Sequence, residues 1–443
     1  MANTLNLGNG DWATKENSLL GYNSESGNYK PLAFDFTRAS SATVVNKAGL
    51  IETAANGIPR IDFLGNTSGA LKLEPQRTNL LPYSSDFSQW SLVNNITINP
   101  DSTMSPDGTL NASKVLEQVA SANGHMVFDN LGLTPSVEYN FSIFVKKLNR
   151  RYVALQNSYN TQNGSIAFFD LDTETLVYTY SAGTVGTFTV SDAKIEKYNN
   201  GWYRLSANFQ SDASTSVLPS LVLASTQWTT GFSYNNLYTG DITKGIYTWG
   251  AQLEAGSYPT SYIKTEGSAV TRNGDQVYGA GDAATFNDSE GVLMAETKGE
   301  NDNTFNYISL SDGGTTNYAA ILYTDTDNQI IYRYYVGGSG VAITVNSIDV
   351  TNFNKIAIKW KANDFAIWIN GIEVGTASSG SLNPSGTFNE LAFARGGANN
   401  TPFYGNTKQV QYFNTVLTDS ELETLTSWTS FIEMAQAQNY NII

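Results

Sequence analysis

The sequence predicts an all-β protein with two antiparallel β-sandwich (jelly-roll) domains, an extended N-terminal arm and one short C-terminal helix. Strand-forming and turn-forming residues dominate the composition, with 25 Tyr, 21 Phe and 38 Gly. Apolar and polar residues alternate in short runs, and turn residues interrupt them about every 8 to 12 positions, as in sandwiches. A chain of 443 residues is also too long for one ordinary core, so we expect two or three domains.

Residues 1–81 are predicted to form an N-terminal arm and a small β attachment region. Residues 1–30 are polar, contain Gly and Asn and lack a repeating apolar face, so they are expected to be extended. Such an arm either attaches to a neighbouring subunit or is a frayed terminus, and the sequence leaves both alternatives open. The strand-like runs between Ala33 and Leu81 are too short for a core of their own, which predicts packing against the next domain or a partner chain.

The first sandwich is expected over residues 82–265. Two strands with clear alternation define its interior. Their inward residues are Tyr139, Phe141, Ile143 and Val145 in one strand and Tyr203, Leu205, Ala207 and Phe209 in the other. Trp202 and Arg204 are then expected on the opposite face.

A domain boundary is predicted after this sandwich. Alternation runs from Tyr247 to Glu254 and then stops at Gly256 and Pro259, because proline has no amide proton and glycine weakens strand pairing. The segment 266–289 is rich in Gly, Asp, Asn and Ala, which is typical of a linker.

The second sandwich is expected over residues 290–430, before a C-terminal tail at 431–443. Its strongest signal is Asn370-Gly371, two residues that tolerate the positive φ of a two-residue hairpin turn. This turn predicts three cross-strand pairs, which are Ile369 with Ile372, Trp368 with Glu373 and Ile367 with Val374. Thr418 and Glu421 have the spacing of a capping box for one short helix.

Charge and hydropathy exclude several classes of protein. The chain has 25 Lys and Arg against 40 Asp and Glu, a formal charge of −15, so we expect no nucleic-acid partner. The densest basic cluster is Lys146, Lys147, Arg150 and Arg151. Without cysteine there are no disulfides or thiolate metal sites. No run of about 18 apolar residues predicts a membrane span, and the first residues do not have the pattern of a secretory signal.

Two separated blocks of sequence resemble a known family. The first block comprises Phe36-Thr-Arg-Ala-Ser-Ser-Ala-Thr, Gly49-Leu-Ile-Glu, Pro59-Arg-Ile-Asp-Phe and Leu73-Glu-Pro-Gln-Arg-Thr-Asn-Leu-Leu. The second comprises Trp249-Gly-Ala-Gln-Leu-Glu-Ala-Gly, Tyr258-Pro-Thr-Ser-Tyr-Ile and Ala269-Val-Thr-Arg. Together they bracket residues 34–272 and resemble the carbohydrate-binding-module-like jelly roll of tailed-phage fibre and spike proteins.

Residues 285–430 resemble a second family, the concanavalin A-like, laminin-G-type sandwich. The segments that carry this resemblance are Ile356-Ala-Ile-Lys-Trp-Lys, Phe365-Ala-Ile-Trp-Ile-Asn-Gly-Ile-Glu-Val, Phe388-Asn-Glu-Leu-Ala-Phe-Ala-Arg-Gly-Gly and Lys408-Gln-Val-Gln-Tyr-Phe. In that family a short helix follows the last strand.

The resemblances imply a structural protein of the phage virion. This hypothesis describes a head or tail fibre or spike subunit at the particle surface, which is homotrimeric, contacts other virion proteins through its arm and adheres to host-surface glycans. It is not expected to be an enzyme. Two alternatives stay open: a polysaccharide-degrading enzyme of the virion, and a bacterial glycan-binding adhesin.

The sequence contains few groups that could act in catalysis. His125 is the only histidine, so a Ser/His arrangement would depend on this one residue, and a loop or strand-edge histidine is the simpler interpretation. The nearest set of acids is Asp170, Asp172 and Glu174, whose turn-like sequence favours a hairpin end over an acid pair. We therefore predict no catalytic residues.

Sugar binding requires aromatic rings on loops beside amides, because a ring stacks on the apolar face of a pyranose while amides bond its hydroxyls. Two loops have this composition, with Trp228, Tyr234 and Asn235 in the first domain and Asn399, Phe403 and Tyr404 in the second. The alternative is that these aromatics fill cores or subunit contacts. Trp90, Trp249 and Trp360 are assigned to the core.

No cofactor is predicted, although calcium is conceivable. Hard cations take oxygen ligands from Asp, Asn and backbone carbonyls at sandwich edges. The candidate metal ligands are Asp325, Asp327 and Asn328, and a second pair is Asp101 with Asp107. Neither stretch has EF-hand spacing, and acidic turns are common without a metal.

Overall fold

The computed structural model describes residues 3–90, 92–120, 124–160, 163–182, 188–211, 216–233, 236–300, 305–397 and 400–443. The chain divides into two compact units. Unit 1 comprises Met1–Ser41, Ala54–Pro75 and Asn273–Ile443, and unit 2 comprises Ala42–Thr53 and Gln76–Arg272. Unit 2 is therefore inserted into the sequence of unit 1. The described residues are nearly all-β, which confirms the predicted fold class.

Eleven short strands occupy the first 79 residues. They are β1 (Leu5–Gly8), β2 (Thr14–Lys15), β3 (Ser18–Leu19), β4 (Tyr22–Asn23), β5 (Lys30–Pro31), β6 (Phe34–Thr37), β7 (Ala42–Val45), β8 (Ile51–Ala54), β9 (Ile61–Asp62), β10 (Ala70–Leu73) and β11 (Arg77–Asn79).

Longer strands follow, mostly in unit 2. They are β12 (Leu92–Asn94), β13 (Ile96–Met104), β14 (Leu110–Glu117), β15 (His125–Phe128), β16 (Leu131–Gly132), β17 (Glu138–Lys147), β18 (Tyr152–Asn160), β19 (Asn163–Asp170), β20 (Thr175–Ala182), β21 (Phe188–Lys197), β22 (Trp202–Ser211), β23 (Ser216–Ala224), β24 (Gly245–Ala255) and β25 (Val270–Arg272). Single 3₁₀ turns lie at Phe87–Gln89 and Asn199–Gly201.

The remaining elements belong to unit 1. Its strands are β26 (Gln276–Tyr278), β27 (Glu290–Gly299), β28 (Asn306–Ser311), β29 (Tyr318–Tyr323), β30 (Gln329–Val336), β31 (Ser339–Asn346), β32 (Asn354–Lys361), β33 (Phe365–Ile369), β34 (Ile372–Ala377), β35 (Glu390–Ala392) and β36 (Gly405–Phe413). Two helices follow, α1 (Asp419–Thr426) and α2 (Phe431–Ala437). Neither they nor any other helix in the part of the chain that the structure describes has the length and apolarity to cross a membrane.

Unit 1 is a sandwich of two large antiparallel sheets. One sheet has the order β34-β33-β32-β27-β36-β1-β4-β5, with β10 and β9 attached to β36, and the other has the order β31-β30-β29-β28-β35. Alternate residues from both sheets meet in one core, because the side chains of a strand point to opposite faces in turn. Ile358 and Val410 belong to the first sheet, and Ile321 and Tyr332 to the second, and all four are fully buried.

Residues 5–8 of the predicted N-terminal arm are not a free extension but a strand of the unit 1 sheet. Strand β1 lies between β36 and β4, and Leu5 pairs with Tyr412. Leu5 and Leu7 are buried in the unit 1 core. The sequence does not predict this strand, because only two apolar residues alternate in it and its partner strand lies about 400 residues away.

The Asn370-Gly371 hairpin forms as predicted at its turn. Asn370 has φ 51° and Gly371 has φ 86°, and the pairs Ile369 with Ile372 and Trp368 with Glu373 are present. The third predicted pair is wrong, because a bulge shifts the register so that Ile367 lies opposite Gly375 instead of Val374. The face assignment is confirmed, since Ile367 and Ile369 enter the main core and Trp368 packs on the other side of the sheet.

The C-terminal capping box is confirmed, but the predicted single helix is followed by a second one. The Thr418 hydroxyl accepts a hydrogen bond from the Glu421 amide, and the Glu421 carboxylate accepts one from the Thr418 amide. Helix α2 lies within the predicted tail. It begins after Ser430, whose side chain accepts from the Glu433 amide, and it buries Ala435.

Unit 2 is a sandwich of a six-stranded and a seven-stranded antiparallel sheet. Their orders are β13-β14-β24-β17-β22-β21 and β12-β15-β23-β18-β19-β20, with β16 attached to β23. The inward faces predicted for β17 and β22 are confirmed, because all eight of those residues lie in the unit 2 core. Trp90, Trp249 and Trp360 are also buried, as expected.

The predicted linker at 266–289 contains strands of both units. Strand β25 pairs with β11 in unit 2, and β26 pairs with β6 in unit 1. Asp275 between them is fully buried and forms ion pairs with Arg38 and Arg60. Arg60 also pairs with Glu74 at 2.7 Å. Although this segment is rich in Gly and Asn, its residues therefore belong to the two units and do not form a free linker.

Candidate functional site

The outer face of the five-stranded sheet in unit 1 carries an unusual group of side chains. Register fixes which residues meet there, since residues opposite one another on neighbouring strands share a face. One row across the sheet is Glu390, Ser311, Tyr318, Tyr335 and Gly340, the next is Ala392, Ser309, Ala320, Arg333 and Ala342, and a third is Tyr307, Leu322, Ile331 and Thr344. Small residues thus surround one arginine, with tyrosines in the rows on either side.

A second arginine reaches this face from the segment after β35. The Arg395 guanidinium carbon lies 5.5 Å from the centre of the Tyr318 ring and 5.8 Å from that of Tyr307. Its segment is held by the buried Ser309, whose hydroxyl donates to the Ala394 carbonyl and accepts from the Gly396 amide. Arg395 itself donates to the Thr315 carbonyl at 3.0 Å. We call Tyr307, Tyr318, Arg333, Tyr335 and Arg395 the Tyr/Arg surface.

Contacts within the Tyr/Arg surface orient both guanidinium groups. Arg333 donates to the Tyr307 hydroxyl at 2.9 Å, and its guanidinium carbon lies 5.6 Å from the centre of the Tyr335 ring. The Tyr318 and Tyr335 rings are 5.3 Å apart. Tyr307 and Tyr318 are buried, whereas Arg333, Tyr335 and Arg395 are half-buried and reach solvent. The two buried rings therefore support three side chains that a ligand can contact.

Several polar atoms on this face lack the hydrogen bonds that buried groups normally make. Arg333 Nε, Arg395 Nε and Glu390 Oε1 have no hydrogen-bond partner. The fully buried Tyr318 hydroxyl also makes no hydrogen bond of normal geometry. It nevertheless lies close enough to Arg333 to favour the charged form of that guanidinium. By contrast, the inward Tyr332 and Tyr334 hydroxyls donate to backbone carbonyls at 2.9 and 2.7 Å. These atoms are themselves buried, so the groups on this face that a ligand can contact are the outer atoms of Arg333, Tyr335 and Arg395.

The sugar loop predicted in unit 2 is not an exposed platform. Trp228 is buried, and its ring centre lies 5.0 Å from that of Phe168 on the outer face of the seven-stranded sheet. Phe232 belongs to the same apolar cluster. The alternative interpretation, an aromatic that fills a core, holds for Trp228. Tyr234 and Asn235 lie outside the described residues.

The loop predicted in unit 1 lies beside the Tyr/Arg surface but contributes different residues. Phe403 is fully buried against Tyr323 and Phe393, so it cannot stack on a sugar. Tyr404 is half-buried, and its amide donates to the Asn306 side chain. Asn399 lies outside the described residues.

The Tyr/Arg surface was not predicted from the sequence, although the sequence contains one signal for it. In the run Gln329-Ile-Ile-Tyr-Arg-Tyr-Tyr-Val336, alternate positions place Ile331, Arg333 and Tyr335 on one side. A strand whose outward positions combine arginine and tyrosine is a better signal than a loop rich in aromatics, because strand geometry fixes which side chains are neighbours.

The predicted metal ligands lie in a hairpin turn between β29 and β30. Asp325 and Asp327 are exposed there, and Asn328 has φ 58°. Across the described ranges, no group of three or more His, Cys, Asp or Glu is arranged to hold a metal ion. Asp107 instead stabilises its own turn, accepting hydrogen bonds from the Thr109 amide and hydroxyl. Calcium binding at Asp325, Asp327 and Asn328 stays a prediction.

The acids considered for catalysis are engaged in ion pairs. Asp170 pairs with Arg151, Asp172 with Lys147 and Glu174 with Lys197. Hydrogen bonds from Arg151 outweigh the effect of burial and lower the pKa of Asp170 to about 2, so this carboxyl stays ionised and is unsuited to donate a proton at neutral pH.

His125 is fully buried on strand β15 and not on an exposed loop. Its Nδ1 lies 2.8 Å from the Asn95 carbonyl oxygen, and its ring centre is 4.5 Å from that of Tyr238. The Tyr238 hydroxyl donates to Glu117, which also pairs with Arg150. Each of these groups has a structural partner, so the cluster stabilises the end of the sandwich.

Comparison with known proteins agrees with this architecture in unit 1. Residues 283–423 match the laminin G type 3 family, described as the concanavalin A-like lectin/glucanases superfamily. A concanavalin A-like domain of the laminin G type therefore occupies this part of the chain. Among curated proteins, none matches the chain.

Solved structures with a similar fold include carbohydrate-binding and laminin domains. The CBM40 of Ruminococcus gnavus IT-sialidase bound to α2,3-sialyllactose is 17% identical, with a TM-score of 0.29, and the match covers 34% of this chain and 94% of that one. Domain 4 of the arabinanase AbnA from Geobacillus stearothermophilus is 12% identical, with a TM-score of 0.30 and coverage of 39% and 82%. Domains LG4-5 of the mouse laminin α1 chain are 9% identical, with a TM-score of 0.24 and coverage of 66% and 86%. These similarities are too low to assign a ligand or an activity to this chain.

Proposed function

We propose that the protein is a glycan-binding subunit of a phage virion, a head or tail fibre or spike that binds host-surface saccharides through the Tyr/Arg surface. The observation that carries the glycan-binding part is the pair of half-buried arginines, Arg333 and Arg395, on the same face as the half-buried Tyr335 ring. An aromatic ring stacks on the apolar face of a pyranose, and nearby donors and acceptors bond its hydroxyls. The concanavalin A-like domain at residues 283–423 supports this assignment.

The virion part of the proposal is supported by the sequence blocks that resemble phage fibre and spike proteins. Residues of these blocks stabilise the unit in which they lie, and Asn79 is an example. Asn79 donates to the Ala251 and Ile263 carbonyls, and its oxygen accepts from the Leu253 amide. The blocks therefore describe a scaffold, and the proposed adhesion site lies outside them.

A saccharide-binding assay tests the first part. The purified chain is applied to an array of bacterial surface saccharides beside Tyr335→Ala, which removes the accessible ring. Tyr440→Ala is the matched control, because it removes a tyrosine that is 71% exposed elsewhere in unit 1. We expect the wild type and the control to bind the same saccharides and Tyr335→Ala to lose at least tenfold in affinity. Equal binding by all three proteins would remove the Tyr/Arg surface from the proposal.

Particle labelling tests the second part. Gold-labelled antibodies against the chain should decorate intact phage particles at the head or the tail, and purified particles without the protein would refute a virion role. The proposal includes a homotrimer, so light scattering of the isolated protein should give three times the chain mass of 48.1 kDa. A monomer in solution and on the particle would contradict this assembly.

A further inference from the structure

The Tyr/Arg surface has positive charge that the protein does not neutralise. Among the residues that the structure describes, Arg38, Arg60, Arg150 and Arg151 each pair with a carboxylate. Neither Arg333 nor Arg395 has a carboxylate within 4 Å in those residues, although acids exceed bases by 15 in the whole chain. Half-buried charges are normally compensated, because transfer from water weakens their solvation. Arg204 pairs with no carboxylate in the described part of the chain either, but it is buried and donates to the Thr260 carbonyl and the Ser142 hydroxyl. Arg333 and Arg395 differ from it because they reach solvent, where an anion can approach them.

We infer that the Tyr/Arg surface binds an acidic saccharide, with the carboxylate or sulfate of the sugar between Arg333 and Arg395 and its ring on Tyr335. This inference rests on the proposed glycan-binding function and names the ligand class. Both arginines contact the same tyrosine, since Arg333 donates to the Tyr307 hydroxyl and Arg395 lies over the Tyr307 ring. The two guanidinium groups are therefore neighbours on one face.

Guanidinium groups match the shape of a planar or tetrahedral oxyanion. A guanidinium presents parallel N–H groups that bond two oxygens at once, and both Arg333 and Arg395 are only half-buried. The aromatic rings beside them fix the guanidinium planes before a ligand arrives. Partial burial makes such a bond stronger than at a fully exposed site, because water screens it less.

One acid lies near this surface. Glu390 is next to the segment that carries Arg395, since a Cβ at Gly397 would lie 3.2 Å from Glu390 Oε1. Burial raises the pKa of Glu390 more than a backbone hydrogen bond from Gly279 lowers it, so the group opposes an anionic ligand less than an exposed glutamate does.

The experiment measures binding to matched neutral and acidic saccharides. The probes are lactose, 3′-sialyllactose, 3′-sulfolactose, a galacturonate trisaccharide and its methyl ester, each titrated against the full chain by calorimetry. The variants are Arg333→Gln, Arg395→Gln and Arg333→Lys. Lys361→Gln is the control, because it removes one positive charge from a half-exposed side chain on strand β32. Thermal unfolding of each variant verifies that it is folded, and Arg333→Lys keeps the charge if Arg333→Gln does not fold.

We expect at least one acidic probe to bind tenfold or more tightly than its neutral counterpart, and the preference to weaken as salt increases. Arg333→Gln and Arg395→Gln should each abolish the preference, Arg333→Lys should retain part of it, and Lys361→Gln should leave it unchanged. Preference for sialyllactose and galacturonate identifies a carboxylate, and preference for sulfolactose identifies a sulfate.

Three results would overturn the inference, and the first two differ in what they mean for the proposed function. If neutral and acidic probes bind equally, and Tyr335→Ala abolishes both, the surface binds glycans but not acidic ones. If no acidic probe binds and the array shows no saccharide binding that depends on Tyr335, the inference and the proposed function both fail. An equal loss of preference in Lys361→Gln would also refute it, because the effect would then be one of net charge.

Discussion

The Glu254 carboxylate accepts a hydrogen bond from the backbone amide of Thr260 at 3.0 Å, and this bond holds the chain that follows strand β24 onto the outer face of its own sheet. Gln252, two residues earlier, accepts from the Ile263 amide at 2.6 Å and donates to Glu254 at 2.6 Å. Both side chains are fully buried. A strand face that reads as polar in the sequence is thus an internal surface of unit 2.

Substitution of Glu254 by alanine should therefore destabilise unit 2. The change leaves the Thr260 amide and hydroxyl without their buried acceptor, and each unsatisfied group costs about 1–3 kcal/mol. We expect a loss of about 2–4 kcal/mol in the free energy of unfolding, measured by urea denaturation of the full chain. Glu266→Ala is the control, because its side chain is 72% exposed. A loss below about 0.5 kcal/mol for Glu254→Ala would contradict this role.

Removal of the Asp275 carboxylate should destabilise unit 1 more strongly. Asp275→Ala takes the shared partner from Arg38 and Arg60, whose side chains are fully buried. Breaking a buried ion pair by removing one partner typically costs about 3–5 kcal/mol, because an uncompensated charge remains. The free energy of unfolding of unit 1, followed by Trp fluorescence, measures this loss.

A double substitution separates charge from packing at the same cluster. Replacing Asp275 by Ala together with Arg38 by Met removes both members of one buried ion pair, so the double variant should be more stable than the sum of the two single changes predicts. Strict additivity would show that the two residues do not interact in solution.

Valine at Gly371 should weaken unit 1 by about 1 kcal/mol or more. Gly371 has φ 86°, and a Cβ there would lie 2.7 Å from Ser427 Oγ. Gly27→Val is the control, because Gly27 has φ 75° and nothing within 4 Å of its Cβ position. Both variants have the backbone strain, but only Gly371→Val has the clash, so it should melt at the lower temperature. Ser427→Ala in the Gly371→Val background should recover part of the difference.

Acid should weaken unit 2 in a way that Asp170→Asn reduces. Hydrogen bonds from Arg151 outweigh burial and lower the pKa of Asp170 from 3.8 to about 2. A carboxyl with a lower pKa in the folded state stabilises that state above its unfolded pKa, and this contribution is lost as the pH falls from about 4 towards 2. Asp170→Asn should be less stable than the wild type at pH 7 and should lose less stability between pH 5 and 2. Parallel curves in urea denaturation would contradict the assignment.

The strands of the two sandwiches could be predicted because local alternation reports which side of a strand is buried. Tyr139 and Phe209 enter the core as expected, and Asn370-Gly371 makes its turn, since a two-residue hairpin depends only on neighbouring residues. The bulge at Val374 could not be predicted, because packing against the rest of the sheet selects it. Strand β1 was missed for a similar reason, since its partner is distant in the sequence.

The candidate site was harder to predict than the fold. Trp228 and Phe403 have the composition of a sugar-binding loop, yet both are buried, because aromatic side chains in a loop gain more by covering a sheet than by facing water. Arg333 and Arg395 are 62 positions apart in the sequence and meet only through the pairing of β28 with β29 and β35. Only the register of those strands shows that they share one ligand surface.

The pairing of Leu5 with Tyr412 also has a consequence for biosynthesis. During translation, strand β1 is made about 400 residues before its neighbour β36. Most of unit 2 is one continuous stretch, Gln76–Arg272, and can fold on the ribosome before β36 has been made. The ten-stranded sheet can be completed only after β36 has been synthesised, and until then β1 needs protection from pairing with strands of other chains.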